Sequence, residues 1–235
     1  MNSLFIDIKN IVDETFNEFS SKLNSQKKKD KSWVTEIDLE ISKRVKNILP
    51  PDLNYISEEE EKKELTFPAL IIDPVDGTEG LVKGTGEWCC SVAIMYSENW
   101  DDPKNQAMIY APEKEFYIDD EEVSRSVEPK NVKKCLISRN EWSDEFLDKV
   151  KESSSYEIKP YGSIALKLGL VASQEIDFVF SLRPKNIWDI AAGVILVHKR
   201  GFQSIQHGEI MSKATCIRYE PHLFFGEKEV YQDLF

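Results

Sequence analysis

The chain has little positive charge, few histidines and no long apolar run, and each shortage removes a class of function. Its 235 residues carry 30 Lys and Arg against 42 Asp and Glu, a formal net charge of −12. Nucleic-acid polymers and anionic membranes attract basic surfaces, so neither is expected as a partner. No apolar run reaches the length of a membrane span, and Asp7 and Asp13 interrupt the apolar N-terminus, unlike a secretory signal. These absences predict a cytoplasmic protein.

Cysteine and histidine are too few and too scattered for the common zinc or redox motifs. Cys89, Cys90, Cys135 and Cys216 show no metal-ligand spacing, so we expect reduced thiols in the core. Adjacent Cys89 and Cys90 fall in a predicted strand and should therefore point to opposite faces of a sheet. The three histidines form no zinc pattern either, and we expect them on the surface or in packing roles.

The chain does contain two carboxylates at the end of an apolar stretch. Residues 69–72 are apolar without alternation, which favours a strand buried on both faces. Asp-Pro-Val-Asp-Gly follows; Pro74 cannot extend a ladder and Gly77 allows a sharp turn. The carboxylates of Asp73 and Asp76 and the carbonyl of Val75 can then converge on one point. This set of oxygen atoms suits Mg²⁺ or Mn²⁺ better than Zn²⁺. Because such a pentapeptide is also an ordinary turn, this fragment alone leaves both interpretations open.

Three further blocks accompany this central turn. Residues 33–38 read Trp-Val-Thr-Glu-Ile-Asp, residues 57–59 read Ser-Glu-Glu, and residues 186–193 read Asn-Ile-Trp-Asp-Ile-Ala-Ala-Gly. In this order and spacing the four blocks resemble the inositol monophosphatase-like superfamily of metal-dependent, lithium-sensitive phosphatases. The resemblance spans nearly the whole chain, and its bacterial 3'(2'),5'-bisphosphate nucleotidase branch looks nearest. It implies a five-layered αβαβα sandwich of the inositol monophosphatase and fructose-1,6-bisphosphatase type.

Periodicity along the chain predicts two halves within this fold. Apolar residues at helical spacing predict a helix over the first two dozen residues. With later strands and a hairpin around Ala111, this helix belongs to an α+β half covering residues 1–125. Alternating strands and helices, including a helix near residues 142–150, then predict an α/β half covering residues 126–235.

The resemblance implies a set of metal ligands drawn from both halves. They would hold two or three Mg²⁺ ions, with Mn²⁺ as an alternative, and they are Glu58, Asp73, the Val75 carbonyl, Asp76 and Asp189. Glu58 is chosen because Ser57 stands where the family has a glycine before two glutamates. Four glutamates follow Ser57, so Glu59 stays open as the ligand in place of Glu58. Asp189 starts a helix that is otherwise apolar, where a buried carboxylate needs a cation or donors, although a first-turn aspartate can also be only a cap.

Asp38, Thr78 and Glu58 are the candidate catalytic residues. Capping of a predicted helix alone explains an aspartate at position 38. The resemblance instead implies that Asp38 hydrogen-bonds Thr78, that this pair orients the attacking water, and that Glu58 helps to activate it. Gly77 and Thr78 open a predicted helical turn and are candidates for binding the phosphate. Metal ions at this site would polarise the phosphate and acidify the water.

The residues expected to contact the substrate lie in the second half. The resemblance assigns contacts with the organic part of the substrate to Gly162 and Ser163. Leu182 stands where inositol monophosphatases usually carry a glutamate for inositol hydroxyls, and a leucine cannot accept a hydroxyl proton. Arg183 and Lys185 offer cations that suit a second phosphate, but either can also be a solvated surface residue.

We therefore expect a phosphomonoesterase that hydrolyses 3'-phosphoadenosine 5'-phosphate to AMP and phosphate. An inositol monophosphatase or another sugar-phosphate phosphatase is the alternative, and a non-catalytic metal- or phosphate-binding protein of the same fold is the least favoured. The acidic composition is consistent with this chemistry, because bound divalent cations supply the positive charge that phosphate esters need. The expected partner is a small phosphorylated metabolite, and a homodimer stays open.

Overall fold

The computed structural model describes residues 2–22, 25–27, 33–60, 64–121, 131–142, 148, 150 and 154–234. The helices are α1 (Ser3–Phe19), α2 (Glu36–Ile48), α3 (Thr78–Val82), α4 (Ile164–Ala172), α5 (Ile187–Lys199) and α6 (Lys228–Leu234). The strands are β1 (Ser25–Lys27), β2 (Trp33–Thr35), β3 (Asn54–Ser57), β4 (Ala69–Asp76), β5 (Cys89–Met95), β6 (Gln106–Ala111), β7 (Phe116–Asp119), β8 (Lys133–Ser138), β9 (Tyr156–Tyr161), β10 (Phe178–Ser181), β11 (Lys185–Asn186), β12 (Gln203–Gln206), β13 (Glu209–Ile210), β14 (Arg218–Tyr219) and β15 (Leu223–Gly226).

The first large sheet has the order β3-β4-β5-β6-β7. Strand β3 runs parallel to β4, and the remaining neighbours are antiparallel. All eight residues of β4 are buried, as the unbroken apolar stretch predicts. Leu70 and Ile72 pack toward α1 and α2, whereas Ala69 and Ile71 pack into a second core on the opposite face. Cys89 and Cys90 divide between the same two cores, so their predicted opposite orientation is confirmed.

The second large sheet has the order β13-β12-β15-β10-β8-β9. Strand β8 is parallel to β9 and β10, and the other neighbours are antiparallel. Helices α4 and α5 fill the space between the two sheets, where their apolar side chains form the largest core. On the outer face, Val230 of α6 packs in a cluster with Phe178 and Phe224. The layers therefore run α, β, α, β, α, which confirms the predicted sandwich.

The two central helices approach each other at Gly193. A Cβ atom placed there would lie 2.3 Å from Leu168 Cδ1 and 2.5 Å from Leu168 Cβ, so a larger residue would push α4 and α5 apart. Both helices begin at the same end of the sandwich, where Ser163 and Asn186 are their N-caps. This close contact therefore fixes the relative positions of two helix starts that contribute to the site below.

Some sequence expectations are only partly tested by this structure. The boundary expected between residues 125 and 126 lies outside the described residues, as does most of the helix expected near residues 142–150. Cys89, Cys90 and Cys135 are buried free thiols, and Cys216 is a free thiol that is only partly buried but packs against the largest core. None of the described helices combines the length and apolarity that a bilayer span demands.

Candidate active site

The turn after β4 brings two carboxylates to one edge of the first sheet. Along a regular strand, residues three apart point to opposite faces. The ladder with β5 pairs Asp73 with Ser91 and Asp76 with Cys89, so β4 contains one extra residue between these pairs. This bulge turns Asp76 back toward the side of Asp73. Gly77 follows with φ +92°, and a Cβ atom there would lie 2.6 Å from the Glu87 carbonyl oxygen, so the turn requires glycine.

Three aspartates from two elements meet at this edge. Asp73, Asp76 and Asp189 each place a carboxylate oxygen within 4.8 Å of the others. Asp189 lies in the first turn of α5, where its Oδ2 accepts a hydrogen bond from Asn186 N at 2.7 Å. Glu58 and Val75 line the same cleft. This donor set consists of oxygen, and it fits a hard divalent cation such as Mg²⁺ or Mn²⁺.

Burial and the repulsion between neighbouring negative charges raise the pKa of these carboxylates. Burial raises the pKa of Asp73 well above its ordinary value, and the negative charges of Glu58 and Asp76 raise it further. Burial also raises the pKa of Asp189, with Asp76 as the next cause. A cation held among these groups favours their ionised forms, so cation binding must be coupled to proton release.

Asp76 is tied to the start of α4. Its Oδ2 accepts hydrogen bonds from Ser163 Oγ at 2.5 Å and from Ala165 N at 2.6 Å. Burial raises the pKa of Asp76, and these two donors, together with the positive charges of Lys167 and Lys185, oppose the rise. The second half of the chain therefore helps to keep this carboxylate ionised.

Asp38 and Thr78, predicted as a pair, lie in contact. Thr78 Oγ1 donates to Asp38 Oδ1 at 3.1 Å and also lies 3.0 Å from the Val75 carbonyl. The other oxygen of Asp38 accepts hydrogen bonds from Thr35 N at 2.8 Å and Thr35 Oγ1 at 2.5 Å, which forms a capping box on α2. The pKa of Asp38 is raised to about 7, because burial and the charges of Glu59 and Glu58 outweigh the Thr35 hydrogen bonds that lower it.

Gly162 and Ser163 line a second cleft that adjoins the carboxylate cleft, but their polar atoms already have protein partners. Ser163 Oγ binds Asp76 and accepts from Leu166 N at 3.0 Å. Gly162 N donates to Glu87 Oε2 at 2.8 Å, and Arg139 pairs with both oxygens of Glu87. The second cleft is shared by the two halves, with Gly80 and Lys83 on one side and Arg139 and Tyr161 on the other.

The remaining predicted substrate residues separate in space. Lys185 lines the carboxylate cleft together with Asp76 and Asp189. Arg183 is exposed and is not among the residues that line either cleft. Leu182 packs against the outer cluster of the second sheet, away from the carboxylates. The structure therefore brings one of the two expected cations to the site.

Two buried charged residues near the site were not anticipated from the sequence. Lys167 is fully buried in α4, and its Nζ donates to Ser138 Oγ at 2.8 Å. Glu141 is buried beside Lys185. A single lysine inside the apolar run of residues 164–172 was a usable signal for Lys167, because lysine is rarely buried without a reason. Glu141 stands in a polar segment and carries no such signal.

Comparison with known proteins agrees with this geometry. The model of the inositol monophosphatase family matches residues 2–219. The chain therefore belongs to the inositol monophosphatase family, whose members are metal-dependent phosphatases, and it is a phosphoric monoester hydrolase by class.

Individual relatives differ in the substrates that their names give. The chain is 31% identical over 186 residues to a Thermotoga maritima fructose-1,6-bisphosphatase/inositol-1-monophosphatase, a match covering 73% of this chain and 70% of that protein. It is 26% identical over 161 residues to the Salmonella typhimurium 3'(2'),5'-bisphosphate nucleotidase CysQ, covering 62% of this chain and 63% of that protein. A solved Thermotoga maritima IMPase superposes with a TM-score of 0.79 at 24% identity, over 100% of this chain and 95% of that one.

Proposed function

We propose that this protein is a Mg²⁺-dependent phosphomonoesterase that acts at the cleft beside β4. The observation that carries the proposal is the convergence of Asp73, Asp76 and Asp189 within 4.8 Å. Glu58 and the Val75 carbonyl complete an oxygen ligand set for two or three Mg²⁺ ions, with Mn²⁺ as a substitute. Such ions supply charge neutralisation of the phosphate and acidify water.

The residues around the ligand set have complementary roles in this proposal. Asp38 Oδ1 accepts a hydrogen bond from the Thr78 hydroxyl. A lone pair of Thr78 Oγ1 is then oriented to accept a hydrogen bond from the attacking water. Glu58 accepts a proton from the same water, and Gly77 and Thr78 hold the phosphate at the start of α3. Gly162 and Ser163 form the wall on which the organic part of the substrate rests. Separate groups of residues thus position the water, the phosphate and the organic part of the substrate.

The substrate that we favour is 3'-phosphoadenosine 5'-phosphate. It carries a second phosphate besides the one that is removed. Lys185 lines the cleft and offers that second phosphate a cation. The Leu182 side chain cannot accept a hydrogen bond from an inositol hydroxyl, and it packs against the cluster on the outer face of the second sheet. The Salmonella relative is named as a nucleotidase of this kind, which supports the choice.

Hydrolysis of inositol or fructose phosphates is the second candidate. The 31% identity with the Thermotoga enzyme, which is named for those two substrates, favours it. A non-catalytic role in binding metal or phosphate is a third candidate, but the full set of carboxylates argues against it.

A side-by-side assay separates these candidates. Phosphate release is measured with Mg²⁺ from 3'-phosphoadenosine 5'-phosphate, inositol 1-phosphate and fructose 1,6-bisphosphate, for the wild type and for Asp76→Asn. We expect the highest kcat/KM for the nucleotide and loss of all release in the variant. A higher kcat/KM for either of the other two substrates would reverse the assignment. Release that is absent throughout, or equal in Asp76→Asn, would reject the catalytic proposal.

We also propose a cytoplasmic location, since phosphorylated nucleotides and sugar phosphates are intracellular metabolites. The division of the chain into halves at residues 125 and 126 stays part of the proposal, because each large sheet is built from one side of that boundary. A homodimer remains an option that a measurement of mass in solution decides.

A further inference from the structure

Three charged residues lie together at one wall of the carboxylate cleft, with Lys185 in the lining and Glu141 and Lys167 buried beside it. Glu141 and Lys167 are 1% and 0% exposed, and the Lys185 side chain is 13% exposed. Burying an ionised side chain is costly unless it is paired or does work at a site. Within this group of three, two cations accompany one anion, and the carboxylates of Asp76 and Asp189 lie in the adjoining cleft.

Glu141 has Lys185 as its cation. Its Oε1 lies 3.9 Å from Lys185 Nζ and accepts a hydrogen bond from Ser181 Oγ at 2.9 Å. Its Oε2 has no hydrogen-bond partner among the described residues. Ser181 therefore holds the same Glu141 oxygen that lies nearest to the Lys185 ammonium group.

Lys185 lies between Glu141 and the carboxylate cleft. It belongs to the two-residue strand β11, where it pairs with Tyr219, and it is four residues before Asp189. Its side chain lines the carboxylate cleft together with Asp76 and Asp189. The side chain can therefore reach a ligand that sits on these aspartates.

Lys167 reinforces the positive charge at the same wall. Its Nζ donates to Ser138 Oγ at 2.8 Å and lies 3.5 Å from the Tyr161 carbonyl, both neutral acceptors. Burial and next the charge of Lys185 lower the pKa of Lys167 to about 8, while the charge of Glu141 opposes this shift. Ser138 lines both clefts, so Lys167 lies directly behind their common wall.

We propose that Glu141 is a positioning residue that holds Lys185 against the cleft wall, where Lys185 binds an anionic group of the substrate other than the phosphate that is removed. The inference rests on the proposed phosphatase function and names the group that would select bisphosphates over monophosphates. Without Glu141, the Lys185 side chain is free to turn toward the nearby aspartates, and its contact with the second anionic group is lost.

The test compares matched substrates with one and two phosphates. Phosphate release is measured from adenosine 3',5'-bisphosphate and adenosine 3'-monophosphate, and from inositol 1,4-bisphosphate and inositol 1-phosphate. The proteins are the wild type, Glu141→Gln, Lys185→Met, the double variant, and Glu157→Gln, which removes a partly exposed carboxylate of β9 that lines neither cleft. The wild type should prefer the bisphosphate of at least one pair. Glu141→Gln should reduce that preference on the order of tenfold through KM, with the monophosphate changed less than about twofold.

The double variant separates positioning from simple stability. If Glu141 acts through Lys185, the double variant should match Lys185→Met, whereas Glu157→Gln should keep the wild-type preference. Equal losses on both substrates of a pair, multiplying losses in the double variant, or an unchanged preference would overturn the inference. If Glu141→Gln fails to fold, Glu141→Asp replaces it, because the shorter side chain withdraws the carboxylate from Lys185; a reduced preference in both Glu141→Asp and Lys185→Met supports the inference, and an unchanged preference in either overturns it. Wild-type release without any bisphosphate preference rejects the inference alone, whereas no release from all four compounds rejects the proposed function and the inference with it.

Discussion

Thr78 and Asp38 are forty residues apart in sequence, and Thr78 Oγ1 lies 3.1 Å from Asp38 Oδ1. The two oxygens of Asp38 have different partners, since Oδ2 receives both Thr35 donors and Oδ1 receives Thr78. The helix-capping role that the position of Asp38 suggested and the pairing that the family resemblance suggested therefore coexist. Asp38 joins the start of α2 to the start of α3.

Removal of the Thr78 hydroxyl should slow turnover more than it weakens binding. Thr78→Ala keeps the ligand aspartates but loses the group proposed to orient the water. We expect kcat to fall on the order of a hundredfold with little change in Mg²⁺ affinity. Thr78→Ser is the control, because it keeps the hydroxyl. Steady-state kinetics across a Mg²⁺ titration measure both quantities, and a variant impaired only in Mg²⁺ affinity would contradict this role.

Asp38→Asn should behave like Thr78→Ala if the two residues act as one unit. In that case the double variant should be scarcely slower than the slower single variant. Thr35 also donates to Asp38, so Asp38→Asn should in addition lower stability by about 1 kcal/mol near pH 4, where the ionisation of Asp38 does not yet oppose folding. Denaturant unfolding separates this loss from the kinetic one. Losses in kcat that multiply would show that the residues act independently.

Mg²⁺ binding should release protons and strengthen as pH rises. Burial raises the pKa of Asp189 to about 8 in the metal-free protein and raises that of Asp73 well above its ordinary value, so Asp189 is largely protonated at pH 6 and only partly at pH 8. Because Mg²⁺ requires the ionised forms, those protons must leave on binding. Calorimetry in two buffers of different ionisation enthalpy measures their number. We expect release at pH 6 and less at pH 8, and a binding enthalpy independent of the buffer at pH 6 would contradict the coupling.

Asp73→Asn should abolish turnover while it stabilises the metal-free protein at high pH. A group whose pKa is raised by folding contributes stability below its unfolded pKa and loses that contribution as pH rises through the folded value. Asp73 is such a group, so its ionisation opposes folding in alkaline conditions without a cation. Urea unfolding in chelator should show Asp73→Asn more stable than the wild type at pH 8, with the difference shrinking as the pH is lowered and vanishing only below the unfolded-state pKa of an aspartate, about 4. The exposed Asp52→Asn variant is the control and should show no such pH-dependent gain. Turnover should fall by orders of magnitude.

Much of the fold follows from local patterns, and most of the site from four short blocks. The apolar residues before Asp73 predict the buried strand, and the helical spacing near the N-terminus predicts α1. Partners that are far apart in sequence are beyond such patterns. No spacing rule indicates that Ser163 would reach Asp76 or that Glu141 would lie beside Lys185, because the packing of α4 and the second sheet decides both contacts. The family resemblance assigned Ser163 a contact with the substrate. Its bond to Asp76 could not be predicted, because that bond depends on the bulge in β4.

The Ser163 hydroxyl gives the last prediction, because it both caps α4 and donates to Asp76. Loss of this donor should raise the pKa of Asp76 further, so protons compete better with Mg²⁺. Ser163→Ala and Ser163→Gly remove the same hydroxyl, but Ser163 has φ +43°, which glycine adopts without strain. We therefore expect Ser163→Ala to be about 1 kcal/mol less stable and Ser163→Gly to be near the wild type.

Both Ser163 variants should lose Mg²⁺ affinity by the same factor, on the order of tenfold at pH 6 and less at pH 8, where fewer protons compete. Calorimetric titration with Mg²⁺ at the two pH values measures this loss independently of turnover, and urea unfolding measures the difference in stability. If Mg²⁺ affinity is unchanged and only KM for the substrate rises, Ser163 acts as the substrate contact that the family resemblance implied, and its bond to Asp76 has no part in holding the cation.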